Sequence, residues 1–266
     1  MSEAVSKPVG TGEASPYRPH IFVGIPTVDG RIEYPIAMLL ASLAILQSQG
    51  VIRLTTRVVS HVSPVAFARN KIVKDFRASD AERLWMIDAD GVPPKNALDL
   101  LGIEGDIVSA ACPVWADRQG FYLNGYRRTP QGYRPVPLTG RTQSVDVVGF
   151  ASVILSRRLL TDPRMDLPPE RIMRPWSDTP YEDQAPGVFR MRYATDGSIV
   201  VGEDIDFCER ARALDYKVLF APQVQFGHVK QLDLARVLTV MGDAYAQGRE
   251  DEKASAEAAK PRIILP

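Results

Sequence analysis

Apolar and polar positions along the chain follow two alternating periods, one typical of strands and one typical of helices. Short β-branched runs predict strands, and longer stretches with apolar residues three or four apart predict helices. The predicted strands are 20–26, 54–60, 83–88 and 105–112, and the predicted helices are 34–49, 64–76 and a short one at 96–101. Strands that alternate with helices predict an α/β fold with a mostly parallel sheet covered on both faces.

The pattern continues less regularly in the second half of the chain. The predicted elements are two short strands around Gly149 and the start of a helix within 145–160, a loop-rich passage at 161–200, a helix and then a strand within 202–222, and a helix at 232–247. We therefore expect one main domain over 20–230, a flexible leader over 1–19, a C-terminal helix over 231–248 and a mobile tail over 249–266.

Composition narrows the class of protein. The chain of 266 residues has a hydrophobic content of 45%, enough for a substantial core, and its 32 basic and 32 acidic residues balance. The two cysteines, Cys112 and Cys208, lie in apolar surroundings, which favours reduced core thiols. The leader has no apolar segment, and no run approaches the roughly 18 apolar residues of a membrane helix. These features predict a soluble cytoplasmic protein without a membrane anchor, whose oligomeric state the sequence leaves open.

One segment has a biased charge. Residues 118–145 contain no acidic residue, and they contain five arginines and four aromatic residues, namely Arg118, Arg127, Arg128, Arg134, Arg141, Phe121, Tyr122, Tyr126 and Tyr133. The segment is either a solvated hairpin over the sheet or a surface for an anionic ligand. Arginines neutralise phosphates and tyrosines stack on bases, so nucleic acid is among the partners that this composition permits.

Two aspartates follow the third predicted strand, in the stretch WMIDADGVPP. Ligands of parallel α/β sheets bind at the carboxyl ends of the strands, which is where Asp88 and Asp90 lie. Carboxylates two residues apart on a turn can both reach one hard divalent cation. The alternatives are an Asx turn or a calcium loop, and the later acidic ligand of an EF-hand is missing from its expected place.

A second acidic group begins a helix further along the chain. Glu203, Asp204 and Asp206 lie where the positive end of the helix dipole favours carboxylates. Helix capping explains one of these acids and not all three. His228, one of three histidines, follows the next strand and offers an imidazole to the same cation as Asp88 and Asp90.

As a set, these stretches resemble the GT-A glycosyltransferases, which use nucleotide sugars and have a Rossmann-like sheet. The matching pieces span most of residues 20–230 and are FVGIPT (22–27), ARNKIV (68–73), MIDADG (86–91), VDVVGFASVILSRRLL (145–160) and GEDIDFCERARALDYKVLFAPQVQFGHV (202–229). The resemblance implies a Rossmann-like GT-A fold. It also implies a divalent cation, Mn²⁺ or Mg²⁺, and a nucleoside-diphosphate sugar as donor substrate.

The resemblance also implies roles for individual residues. Asp88 and Asp90 hold the cation on the nucleotide diphosphate, and His228 completes the metal shell. Asp204 carries the catalytic base of inverting members, with Glu203 as its acidic companion.

The nucleotide pocket of that family is lined by the end of the first strand and by the Ala-Arg-Asn helix. The residues of this chain at those positions are Thr27, Arg69 and Asn70, and Asp88 also faces the donor. The chain departs from membrane-anchored members by lacking an anchor, and from large synthases by lacking a processive or transmembrane part.

Several functions remain open at this point. The leading hypothesis is a metal-dependent glycosyltransferase of the hexosyltransferase type that moves a sugar, expected from a UDP-sugar such as UDP-glucose, to a hydroxyl acceptor. Inversion is expected, and retention, in which Asp204 only orients the acceptor, stays open. The acceptor is a glycan, a protein, a small molecule or a hydroxymethylated base in DNA. The alternatives are a nucleotidyltransferase, which the sparse glycines of GIPTVDGR (24–31) disfavour, and a non-catalytic sugar-nucleotide-binding module.

Overall fold

The computed structural model describes residues 18–116, 120–168 and 187–229. The predicted C-terminal helix and tail, and nearly all of the predicted leader, lie outside these residues. The strands are β1 His20–Pro26, β2 Arg53–Val59, β3 Arg83–Ile87, β4 Gly91–Val92, β5 Ile107–Ala111, β6 Pro113–Ala116, β7 Gly120–Leu123, β8 Gly125–Thr129, β9 Gly132–Pro135, β10 Gln143–Ser144, β11 Val147–Val148, β12 Ser152–Ser156, β13 Arg192–Tyr193, β14 Ile199–Val201, β15 Val218–Gln225 and β16 Gly227–His228. The helices are α1 Tyr34–Ser48, α2 Val65–Ala78, α3 Arg157–Leu160 and α4 Glu203–Ala213.

Seven strands form the central sheet, in the order β10-β15-β5-β12-β3-β1-β2. Five of them, β1, β2, β3, β5 and β15, run in one direction, and β10 and β12 run in the other. The predicted α/β class with a mostly parallel sheet is therefore confirmed. The strand β12 is antiparallel because residues 112–151 leave the end of β5 and return to the same edge of the sheet before β12 begins.

The two faces of the sheet carry separate cores. Along β1, Ile21, Val23 and Ile25 pack with the buried face of α1, and Phe22 between them packs with α2 on the other side. This alternation is the period of two that a strand imposes on its side chains. Cys112 and Cys208 are both buried, as their apolar surroundings in the sequence predict.

Most predicted elements are confirmed within one or two residues. The third predicted helix, at 96–101, differs, since it is a 3₁₀ helix over Ala97–Gly102. A further 3₁₀ turn covers Pro163–Met165, within the loop-rich passage. Within the described residues, no helix combines the length and the apolar character that crossing a membrane requires.

The arginine-rich segment forms a hairpin. Strands β8 and β9 pair antiparallel, and β11 pairs with β8 to complete a small three-stranded sheet. The phenol of Tyr133 donates a 2.6 Å hydrogen bond to Oε1 of Glu209 on α4, which fixes the hairpin to that helix. The predicted hairpin is therefore present, and it lies beside the helix that carries the second acidic group.

Candidate functional site

A cavity of about 1020 Å³ opens at the edge of the sheet where β1 and β3 end. The segment before β12 reaches the same edge, because β12 runs against its neighbours. The lining therefore combines residues that are distant in sequence: Thr27, Asp29, Arg31, Glu33, His61, Arg69, Asp88, Asp90, Asn124, Gly149, Glu203, Asp204 and His228 are among them. A cavity of this volume is large enough for a dinucleotide-sized ligand.

Asp88, Asp90 and His228 meet at this edge through backbone hydrogen bonds. The amide of Asp88 donates to the carbonyl of Ala151 at 2.9 Å, and the chain then turns tightly at Gly91. The two-residue strand β4 that follows pairs with β16, which sets His228 opposite Gly91. These contacts place the imidazole beside the two carboxylates.

The three side chains fit a divalent cation. Each offers a ligand atom, and the three atoms lie within 4.8 Å of one another. Nε2 of His228 is 4.0 Å from Oδ1 of Asp90, and it is buried without a hydrogen-bond partner among the described residues. Two carboxylate oxygens and one imidazole nitrogen form a donor set that can hold a divalent cation. Burial is the main cause that raises the pKa of Asp88; Asp90 adds to it, while Arg69 and His228 oppose it.

Arg69 lies between the two acidic groups. Its side chain is only 4% exposed; Nη1 donates to Oε1 of Glu203 at 2.8 Å, and Nη2 donates to Oδ1 of Asp88 at 3.0 Å. Burial alone would lower the pKa of Arg69, but Glu203, Asp88 and Asp204 outweigh it and raise the pKa. A guanidinium on α2 thus connects the end of β3 with the start of α4.

The second acidic group lies at the first turn of α4. Glu203 is 7% exposed and is held by Arg69, whereas Asp204 is half-buried and its Oδ1 accepts the amide of Ile205 at 2.8 Å. Burial, together with the neighbouring charge of Glu203, raises the pKa of Asp204 to about 6, although Arg69 opposes the shift. A carboxylate with this pKa is suited to accept a proton near neutral pH.

The carboxylate of Asp204 faces a glycine. A Cβ added at Gly149 would lie 3.6 Å from Oδ2 of Asp204 and 3.0 Å from Cβ of Asn124. Both Gly149 and Asn124 line the cavity, and the Asn124 amide is held by Cys112 N and by the carbonyls of Ala110 and Gly149. The small residue keeps space open in front of the oxygen that does not accept the Ile205 amide.

Of the two remaining predicted nucleotide-pocket residues, Thr27 and Asn70, only Thr27 lines the cavity. Thr27 lines the cavity, and its hydroxyl donates to the carbonyl of Arg31 at 2.9 Å. Asn70 is not among the cavity-lining residues; its Oδ1 accepts the amides of Val188 and Phe189, both at 2.9 Å, and its Nδ2 donates to the Phe189 carbonyl. Asn70 fixes the backbone at 188–189, and its predicted contact with the nucleotide stays a prediction.

The arginine hairpin lies outside the cavity lining. Its described arginines, Arg127, Arg128, Arg134 and Arg141, are all exposed, and Arg118 lies outside the described residues. Asn124 does line the cavity, and sequence reasoning did not single it out, because a neutral amide inside an arginine-rich stretch gives no charge signal. Sequence reasoning also missed the lining residues Arg31, Glu33 and His61, because residues in loops show no hydrophobic periodicity.

Comparisons with known proteins add the following. No family model matches the chain, and no curated protein does. Among solved structures, A197 from STIV is 16% identical, with a TM-score of 0.47, over 80% of this chain and 86% of that one. GalNAc-T7, solved with UDP, GalNAc and Mn²⁺, is 12% identical, with a TM-score of 0.43, over 81% of this chain and 44% of its own.

A third similar structure is the inositol-1-phosphate CTP transferase from T. maritima, which is 10% identical, with a TM-score of 0.38, over 80% of this chain and 89% of that one. A glycosyltransferase involved in the glycosylation of the major capsid of PBCV-1 also matches; it is 12% identical, with a TM-score of 0.29, over 53% of this chain and 62% of that one. The two enzyme classes that the sequence sets against each other therefore both occur among similar structures. At these identities the activity of this chain has to be argued from its own site.

Proposed function

We propose that this protein is a metal-dependent glycosyltransferase that moves a sugar from a nucleoside-diphosphate sugar, a UDP-sugar in the first instance, to a hydroxyl acceptor. The observation that carries the proposal is the joint position of two acidic groups on one cavity. Asp88 and Asp90 lie with His228, and Asp204 lies beside Glu203 across Arg69. The first group is suited to bind a cation, and the second is suited to accept a proton.

Asp88, Asp90 and His228 would hold Mn²⁺ or Mg²⁺. The cation, when bound, supplies Lewis-acid stabilisation of the negative charge that grows on the diphosphate as it leaves. Asp88 and Asp90 would each supply a carboxylate oxygen, and the buried Nε2 of His228, which has no hydrogen-bond partner among the described residues, would supply its lone pair. Thr27 belongs to the wall in which the nucleoside part of the donor would bind.

Asp204 would act as the base. The bond between the anomeric carbon and the diphosphate oxygen breaks, the acceptor oxygen bonds to that carbon, and the hydroxyl proton passes to Asp204. Oδ2 is the receiving oxygen, because Oδ1 already accepts the Ile205 amide and Oδ2 faces the space kept by Gly149. Attack opposite the leaving group inverts the configuration at the anomeric carbon.

The test is a donor screen followed by product analysis. UDP-sugars, other nucleoside-diphosphate sugars and nucleoside triphosphates with sugar phosphates are each added with Mn²⁺, and the released phosphate compound is identified. A nucleoside diphosphate supports glycosyl transfer, pyrophosphate would show a nucleotidyltransferase instead, and donor-induced stabilisation without turnover would show a binding module.

The acceptor proposal is a hydroxymethylated base in DNA. Its support is the hairpin, whose exposed arginines carry positive charge beside α4, the helix whose first turn contains Asp204. Arg127→Ala with Arg128→Ala should weaken binding of hydroxymethylated DNA and flatten its dependence on salt, while donor hydrolysis continues. An equal loss of donor hydrolysis would place these arginines on the diphosphate, and mass spectrometry of glycan and small-molecule acceptors tests the other acceptor classes.

A further inference from the structure

The position of Arg69 sets it apart from the other arginines that line the cavity or surround it. It lies on α2, yet its two terminal nitrogens donate to carboxylates at the end of β3 and at the start of α4. Nη2 is also 3.4 Å from the carbonyl of Phe150, in the segment that precedes β12, and the guanidinium lies 5.5 Å from the centre of the Phe150 ring. One side chain therefore contacts three separate elements of the site.

These contacts argue against a direct role on the diphosphate. A guanidinium that binds phosphate presents a pair of N–H groups to the ligand, whereas each terminal nitrogen of Arg69 already directs one N–H to a protein carboxylate. The side chain is 4% exposed, and its Nε is buried without a hydrogen-bond partner in the described part of the chain. Arg69 is fixed by the protein before any ligand arrives.

We propose that Arg69 is a positioning residue that couples the cation half of the site to the proton half, an inference that rests on the proposed function. By holding Oδ1 of Asp88, it orients that carboxylate so that the other oxygen is directed to the cation. By holding Glu203, it fixes the first turn of α4 and with it the direction of Asp204. Loss of the Arg69 contact with Asp88 or with Glu203 would then change the position of the other carboxylate as well.

Arg69→Lys is the variant that isolates this role. Lysine keeps the positive charge, so the electrostatic attraction of the site for a cation is retained, but a single ammonium lacks the planar fork that serves two carboxylates at once. Arg77→Lys is the matched control, since Arg77 lies on the same helix, donates to Asp166 and to the Leu160 carbonyl, both at 2.6 Å, and is not among the cavity-lining residues. Both variants keep the positive charge and lose the planar guanidinium group.

The measurement is binding of Mn²⁺ alone, followed by electron paramagnetic resonance of the free ion, together with kcat and KM for transfer. Arg69→Lys should weaken Mn²⁺ binding about 10-fold to 100-fold, the range for residues that orient metal ligands, and should lower kcat. Arg77→Lys should lower the melting temperature and leave Mn²⁺ binding and kcat unchanged. A higher donor KM in Arg69→Lys, with normal Mn²⁺ binding and kcat, would place Arg69 on the diphosphate and overturn the proposal.

A second pair of variants covers the case in which Arg69→Lys does not fold. Glu203→Gln and Asp204→Asn each remove one negative charge from adjacent positions, and only Glu203 is bonded to Arg69. Coupling through Arg69 predicts that Glu203→Gln weakens Mn²⁺ binding more than Asp204→Asn does, and equal effects would overturn it. If the wild-type chain binds no Mn²⁺, the proposed function fails as well; if it does and neither comparison shows a difference, only the coupling fails.

Discussion

The two pairs of acids that line the cavity, Asp88 with Asp90 and Glu203 with Asp204, have different surroundings. In each, one carboxylate is tied to Arg69, Asp88 in the first and Glu203 in the second. The other member differs: Asp90 lies 4.0 Å from an imidazole nitrogen, while Asp204 is next to Glu203 and accepts one backbone amide. The surroundings of Asp90 and of Asp204, and not the presence of two acids, therefore determine which chemistry each pair suits.

Electrostatics gives the reason. An imidazole and two carboxylates together offer three ligand atoms to one cation. Burial raises the pKa of Asp88 as well as that of Asp204, which burial and the charge of Glu203 raise to about 6. The first group therefore differs from the second by its third ligand atom, which suits it to a cation, and the second is suited to exchange a proton.

The largest expected effect comes from Asp204→Asn. Asparagine keeps the size of the side chain and can still accept the Ile205 amide, but it cannot accept the acceptor's proton. Transfer should fall by about 10²-fold to 10⁴-fold, with donor and Mn²⁺ binding retained. Transfer rate and Mn²⁺-dependent donor binding are measured side by side, and a variant that transfers at the wild-type rate would leave Asp204 as a helix-terminal residue only.

Asp90→Ala should break the first group. Removing one of three ligands should abolish the rise in melting temperature that UDP with Mn²⁺ gives the wild-type chain, a rise of about 5–10 °C when the ligand is at about 100 times its Kd. Asp29→Ala is the control, because Asp29 also lines the cavity and pairs with Arg31. The assignment is wrong if Asp90→Ala and Asp29→Ala respond to UDP and Mn²⁺ equally.

The pH profile sharpens the difference between the groups. Since Asp204 must be ionised to accept a proton, kcat should fall about tenfold per pH unit below about 6, and Asp204→Asn should lack this limb. The sign for stability is opposite: a carboxyl whose folded pKa is raised contributes stability below its unfolded pKa, which is lost as pH rises through about 6. The free energy of unfolding, compared between wild type and Asp204→Asn from pH 4 to 7, measures this contribution.

Glu203→Gln should have the smallest effect on transfer. At saturating Mn²⁺, transfer should fall less than about tenfold, because Glu203 holds Arg69 and does not receive the proton. Stability should fall by about 1–3 kcal/mol, since the buried Arg69 loses a charged partner. Denaturant unfolding and the transfer rate are measured together. A loss of transfer as large as that of Asp204→Asn would reverse the roles of the two acids.

The sequence alone was sufficient for the fold class and for part of the candidate site. Periods of two and of three to four residues predict the strands and helices, because side chains point to alternate faces of a strand and recur on one face of a helix. Acidic residues directly after a strand and at a helix start are equally local signals. The positions of Asp88, Asp90, Glu203, Asp204 and His228 could therefore be predicted before any contact was known.

The tertiary structure decided which of these residues meet and what each one contacts. Arg69 and Asn70 are neighbours in the chain, but α2 turns Arg69 toward the cavity and Asn70 toward the backbone at 188–189. No local sequence pattern distinguishes them, because Arg69 contacts Glu203 and Asn70 contacts Phe189, each more than 100 residues further along the chain. The raised pKa of Asp204 likewise depends on burial that the fold creates. Contacts of this kind arise only when the fold brings the ends of strands and helices that are distant in sequence to one edge of the sheet.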